Sequence, residues 1–256
     1  MLNSLSDITN QFLLSYFLVF CRVGSALMTM PAIAEVYVAV RIRLIIALIL
    51  SFIVQPIVSS KIDVPSENIL KLTIQIFSEV IIGIGIGMLI KFLLSAIYTA
   101  GTVISSQSGL SSAMMFDPNS GAQGSVEGNF LGAITIVLIF ATDLHHQFIA
   151  GIIESYTIYN SFSTLNFKDI VESSSYILNK SFQTAFKLSA PHLVVGIILM
   201  FSAGILSRLM PAMQIFFIIM PVQILISFII LMLTVGGVMM WYVDFLHEGV
   251  GMIFMK

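Results

Sequence analysis

The residues of this chain that could do chemistry are charged groups set inside apolar stretches. Arg22 lies near the centre of the first stretch, Glu79 and Lys91 bracket the third, and Asp143, His145 and His146 sit within the fourth. An isolated charge at the centre of a membrane helix costs roughly 2.5 to 3.5 kcal/mol even on lenient insertion scales. These groups are therefore expected to face protein, water or one another. Two roles are open to them: a polar pathway or proton relay, and structural pairing between helices. Arg22 holds the most expensive position. Its acceptor is a carboxylate such as Glu79 or Asp143, or a backbone carbonyl freed where a helix breaks.

Enzymatic arrangements find little support. His145 and His146 are adjacent, so on a helix they point about 100° apart and do not make the one-face pair of an H-E-x-x-H motif. Asp143 and His146 share a face, but two ligands without a third do not make a metal site. Ser106 and Ser108 lie in a glycine-serine segment with no strand-turn-helix elbow around them. No phosphate-binding glycine loop followed by Lys and Ser or Thr occurs. Cys21 is the one cysteine, which excludes an intrachain disulfide and a thiolate metal cluster. The expectation is a protein that is not an enzyme, with no catalytic residue, no metal and no cofactor.

The elements that must position these groups are long apolar helices. The chain has 256 residues, of which 58% are hydrophobic and 9% charged, with a mean hydropathy of +1.03. Soluble domains carry about 25% charged residues, so this chain cannot cover a water-facing surface, and a soluble globular enzyme is excluded. A net charge of −2 gives no basic field for nucleic acid; the expected surroundings are a lipid bilayer. Six apolar runs cover about Phe12–Met30, Leu44–Val58, Ile69–Ile97, Phe130–Ile153, Leu193–Leu206 and Met213–Val243. They are continuous rather than alternating, which predicts helices and not barrel strands. No Lys or Arg precedes the first run, so it is expected to stay as a membrane segment rather than be cleaved as a signal peptide. Pro221 predicts a kink and Gly236-Gly237 a second bend in the last run. The fold class expected is an all-α membrane protein of about six long helices in a single domain spanning 1–256.

Simple alternation of six spans puts Arg41, Arg43, Lys91 and Arg208 on one side and Lys61, Lys71, Lys168, Lys180, Lys187 and Lys256 on the other. The excess of Lys and Arg that sets orientation is therefore missing, and the uneven run lengths also suit a packed assembly better than six equal spans. Glu79, Gly83, Gly87 and Lys91 recur every four residues along one helical stripe. Gly83-x-x-x-Gly87 and Gly128-x-x-x-Gly132 permit close backbone approach between membrane helices. Glu79 and Lys91 lie about 18 Å apart along the axis and cannot pair with each other. A neighbouring helix is expected against Gly83 and Gly87, and Gly87→Leu is expected to cost the chain its partner subunits.

Two connections stand out. Asn160 to Ser181 is polar and reads as a water-facing linker with a short amphipathic helix. Gly101 to Gly128 is rich in glycine and serine and carries no helical apolar stripe. It does contain an apolar patch, Met114, Met115 and Phe116, between Gly109 and Asp117-Pro118. Met and Phe make soft, deformable contacts, and irregular backbone at membrane depth is tolerated only when buried in protein or lining a water-filled cavity. An apolar patch on a flexible tether is what closing a pore would need.

Taken in order, the residues resemble the FliR family, the export-gate membrane proteins of flagellar and virulence type III secretion. The resemblance rests on Arg22-Val-Gly24 leading to Pro31, Val40-Arg41-Ile-Arg43-Leu, Gln107-x-Gly109, Asp117-Pro118, the block from Phe130 through Asp143-Leu-His145-His146 to Glu154-Ser155, Ser207-Arg208-x-x-Pro211, and Pro221. The Asp-x-His-His block favours the flagellar branch. The resemblance implies assembly with FliP-like and FliQ-like subunits into a mixed helical ring, with an FlhB-like protein at its entrance and unfolded flagellar proteins passing through the centre. It implies helices arranged as hairpins rather than a simple six-span bundle, in the bacterial inner membrane within the flagellar basal body. It also implies that the segment from about Ser106 to Ala122 is a pore plug. A small-solute transporter or ion channel, with the buried charges as its pathway, is the alternative. Inverted repeats would then give matching broken helices in the two halves, and none is evident.

Overall fold

The structure is a computed structural model that describes residues 2–31, 33–34, 38–62, 69–110, 125–159, 167–210 and 214–254. The described residues form seven α-helices, a short 3-10 turn at Ser59–Lys61, and no strand: α1 (Leu2–Thr29), α2 (Val40–Val58), α3 (Ile69–Ser108), α4 (Val126–Ala141), α5 (Leu144–Ile158), α6 (Phe167–Leu209) and α7 (Ile215–Phe254). Five helices are long and apolar enough to cross a membrane, and α4 with α5 makes a sixth if that bent pair is one span. This is an all-α membrane protein, as the continuous apolar runs predict.

Three boundaries differ from the sequence expectation. Helix α3 continues through Ser108, so residues 101–108 are helical rather than loop. They contain Gly101 and four serines and threonines, and tertiary packing overrides their weak helix propensity. The segment read as a polar linker contributes the opening turns of α6, a 43-residue helix, not a short separate one; residues 160–166 lie outside the described residues. The fourth apolar run is broken at Thr142-Asp143. Asp143 has φ 57° and ψ 17°, a left-handed conformation that Asp tolerates better than most residues because its short side chain can bond locally. Helix α7, in contrast, is continuous through Pro221 and Gly236-Gly237.

The chain divides into two compact units, one of residues 1–93, 143–177 and 248–256 and one of 94–142 and 178–247. In the first unit, α1 buries Ser15, Leu18, Val19, Arg22, Val23, Ala26 and Leu27, the three- and four-residue spacing of one helical face. It packs against α2, where Tyr16 donates a hydrogen bond to the Leu48 carbonyl at 3.1 Å. The same α1 packs on α3 through glycine. A Cβ on Gly83 would lie 2.0 Å from Ser25 Oγ and 2.4 Å from the Arg22 carbonyl oxygen, and one on Gly87 would lie 1.9 Å from Thr29 Oγ1. The helix expected against this stripe is therefore the chain's own α1, and the stripe is not free to receive a partner subunit.

In the second unit, the residue 94–108 part of α3 meets α4 in the same way. A Cβ on Gly101 would lie 2.1 Å from the Gly128 Cα, and one on Gly132 would lie 2.6 Å from the Tyr98 ring. Ser125 caps α4 by accepting a hydrogen bond from the Gly128 N–H at 3.0 Å. Helix α7 is the least covered: 6% of its most apolar window is buried in the chain, against 50% for α3.

Candidate functional site

In the first unit the interior is organised around Arg22, which is fully buried. Its Nε donates to Glu79 Oε2 at 2.5 Å and its Nη2 to Glu79 Oε1 at 3.1 Å, the bidentate fork that suits guanidinium to carboxylate. Nη1 donates to Ser155 Oγ at 3.3 Å, and Nη2 also donates to the Tyr159 carbonyl at 3.0 Å, where α5 ends. The Tyr156 ring lies under the guanidinium carbon at 3.9 Å, close enough for a cation–π contact. Both acceptor types expected for Arg22 are used at once: the carboxylate is Glu79, and the carbonyl is one freed at a helix end. Helix periodicity makes the constellation possible, because Ser155, Tyr156 and Tyr159 fall on neighbouring positions of one face of α5. The guanidinium and the carboxylate are spent on each other and on α5, which is an anchor joining three helices rather than a surface that presents chemistry.

The other candidates divide. Asp143, His145 and His146 come together at the break before α5. His146 Nδ1 lies 3.4 Å from Asp143 Oδ1, the two imidazole centroids are 4.1 Å apart with planes 37° apart, and one ligand atom from each of the three falls within 4.8 Å of the others. The sequence expectation separated the two histidines by a helical turn angle. Both are consecutive residues of α5, and the left-handed Asp143 that precedes the helix brings its carboxylate beside them at the first turn. Lys91 and Arg208 are exposed on α3 and α6 and join none of these groups. Met114, Met115, Phe116, Asp117 and Pro118 lie outside the described residues; of the expected plug, Gly109 is described.

Gly109 has φ +76°, a backbone region that glycine enters without steric penalty, and it ends α3. The second unit holds both roots of the segment that follows. On the α3 side, Gln223 of α7 donates its amide to the Gln107 carbonyl. On the α4 side, Ser108 Oγ donates to Glu127 Oε1 at 2.8 Å and accepts from the Leu110 N–H at 3.3 Å. Glu127 is 4% exposed, and sequence reasoning missed it. It sits just before the fourth apolar run as counted, among small polar residues that read as loop. The available signal was the Ser125-x-x-Gly128 start of a helix, which places Glu127 in its first turn, where a negative charge is favoured. Ser155, Tyr156 and Tyr159 were missed as Arg22 ligands because their neighbourhood depends on how α5 packs.

Fold and interior together define a class: an α-helical membrane protein whose buried charges brace its own helices. Residues 13–249 match the bacterial export proteins, family 1, and the chain belongs to that family. It is 33% identical over 231 residues to the flagellar biosynthetic protein FliR of Caulobacter vibrioides, covering 90% of this chain and 92% of that one. It is 29% identical over 245 residues to the protein of the same name from Bacillus subtilis, covering 92% and 90%, and 26% identical over 216 residues to that of Escherichia coli, covering 83% and 80%. Membership makes this an export-family membrane protein and not an enzyme.

Proposed function

We propose that the chain is a subunit of the flagellar type III export gate, in the bacterial inner membrane within the flagellar basal body. With FliP-like and FliQ-like subunits it forms the channel through which unfolded flagellar proteins cross, with an FlhB-like protein at the entrance. The observation that carries this reading is the family match over residues 13–249, continuous with relatives named as flagellar biosynthetic proteins. The Arg22–Glu79 cluster speaks against the alternative of a solute pathway through the buried charges, because the guanidinium and the carboxylate are paired with each other and buried within the chain.

Within this reading, Gly109, Met114, Met115, Phe116, Asp117 and Pro118 form the plug, hung between two roots that Gln223 and Glu127 hold. The test of the function is co-expression with FliP-like and FliQ-like subunits and purification through a tag on this chain. A complex of defined mass containing all three is expected. A FliP-like and FliQ-like complex that forms without this chain, while the chain purifies alone, would overturn the proposal.

A further inference from the structure

At the start of α5 the chain gathers a donor set that takes no part in the Arg22 anchor. Asp143 and His146 are exposed, with side chains 76% and 71% accessible, and His145 is half-buried. Polar side chains turned outward within an apolar run are costly against hydrocarbon. They therefore face water or a polar surface, where a dissolved ion reaches them. Two of the three are imidazoles and the third is a carboxylate, the mixed nitrogen and oxygen set of many protein sites for Zn²⁺ and its neighbours in the d-block.

The spacing fits as well as the chemistry. Zinc holds imidazole nitrogen at about 2.0 to 2.1 Å and carboxylate oxygen at about 2.0 to 2.2 Å in a tetrahedron, which sets its ligand atoms roughly 3.4 Å from one another. Asp143 Oδ1 and His146 Nδ1 already stand 3.4 Å apart, longer than a well-made hydrogen bond. One ligand atom of His145 lies within 4.8 Å of one on each of the other two, a gap that side-chain torsions close. Consecutive helical residues ordinarily diverge, yet these two ring centroids are 4.1 Å apart. In the first turn of a helix no preceding turn restricts χ1, so both rings can swing to one side. The helix N-terminus disfavours a cation, and the Asp143 carboxylate, brought there by its left-handed backbone, offsets that. Imidazole donors select zinc, copper or nickel over magnesium and calcium.

We infer that Asp143, His145 and His146 form a three-ligand site for one divalent d-block ion of the zinc class, which ties the residue before α5 to the helix's first turn and leaves a coordination position open to water. The site belongs to this chain alone, whatever the chain assembles with. The test uses the full chain purified in detergent through a tag without histidine, stripped with a chelator and titrated with zinc chloride against a fluorescent zinc indicator. One zinc per chain is expected, together with a rise in thermal midpoint, because an ion at a hundred times its Kd favours the folded state about a hundredfold. Magnesium chloride should give neither. Loss of a partner that only orients a ligand costs about 10- to 100-fold in metal affinity, so His145→Gln, His146→Gln and Asp143→Asn should each weaken zinc binding by about tenfold or more. Cys21→Ser and His247→Gln should leave it unchanged. Asn tolerates the left-handed backbone as Asp does, so Asp143→Asn keeps the fold and isolates the lost ligand if a histidine variant fails to accumulate. Absence of saturable zinc binding by the native chain overturns the inference. So does affinity unaltered by Asp143→Asn or by His146→Gln, or equal binding of magnesium.

Discussion

Truncating Arg22 is the most revealing perturbation because the structure predicts an asymmetry between the partners. Arg22→Ala leaves Glu79, 4% exposed, with neither of the two donors that hold its oxygens. Removing one member of a buried pair costs about 3 to 5 kcal/mol, or roughly two to four decades in the folding equilibrium. For a chain of this size that is a fall of about 6 to 20 °C in Tm, taking 2 to 4 °C per kcal/mol. Glu79→Ala leaves Arg22 with Ser155 Oγ, the Tyr159 carbonyl and the Tyr156 ring, so its loss is expected to be smaller. Arg22→Lys keeps the charge but cannot reach both carboxylate oxygens, Ser155 and Tyr159 from one ammonium, and falls between the two. The double variant Arg22→Met with Glu79→Leu removes both charges and fills part of the volume; it should recover much of the loss. Unfolding of the purified chain in detergent, followed by helicity against temperature, measures the series. Double-mutant coupling below about 0.5 kcal/mol, the scatter of independent sites, would refute the pairing argument, as would a wild-type midpoint for Arg22→Ala.

Two further outcomes follow from the packing and the loop. Gly83→Ala places a methyl 2.4 Å from a backbone oxygen of α1, whereas a Cβ on Gly85 meets nothing within 4 Å; the first should lose about 1 to 3 kcal/mol by overpacking and the second gain about 0.5 to 1 kcal/mol from helix propensity. Thermal unfolding of the two single variants separates them, and equal midpoints would contradict the close α1–α3 contact. Gly87→Leu is expected on the same ground to lower the yield of the chain itself before any effect on partner subunits. Deleting Gly109 to Phe116 should raise ion leakage through an assembled complex, read as conductance in planar bilayers, because glycine and serine give the loop a high ordering cost and easy opening; unchanged conductance would refute the plug.

What was legible in the sequence follows from which physical signals are local. Apolar runs set helix identity because every helix in lipid must close its own backbone hydrogen bonds, and α1, α2, α3 and α7 appear where such runs lie. Arg22 was legible as a residue needing acceptors, since burial of guanidinium leaves no other solution. Glu79 was one candidate among several, because choosing it requires knowing that α1 packs on the Gly83–Gly87 face of α3. The lengths of α3 and α6 were not legible. Their terminal turns carry polar residues, Ser105, Ser106, Gln107 and Ser108 in α3 and Lys168 and Asp169 in α6, and only packing decides whether such turns continue a helix. The break at Asp143 was hidden for a related reason: a left-handed residue within an apolar run leaves no trace in hydropathy.

Apolar area and buried polar atoms answer different questions about a chain of this kind. The outward faces of α2 and α7, with Phe52 62% and Leu233 79% exposed, must be covered, but lipid tails are as apolar as leucine and cover them as well as a protein would. Exposure alone therefore does not separate a lipid-facing helix from an interface. A carboxylate does separate them, because only a donor satisfies it and lipid tails carry none. Arg22 answers Glu79 within the chain, and the result is an anchor. Oε2 of Glu127 has no donor among the described residues, although Oε1, Ser108 and Ser125 hold that turn in place. Of two carboxylates buried to the same 4%, Glu79 ties α1 to α3 and Glu127 fastens the first turn of α4 to the end of α3.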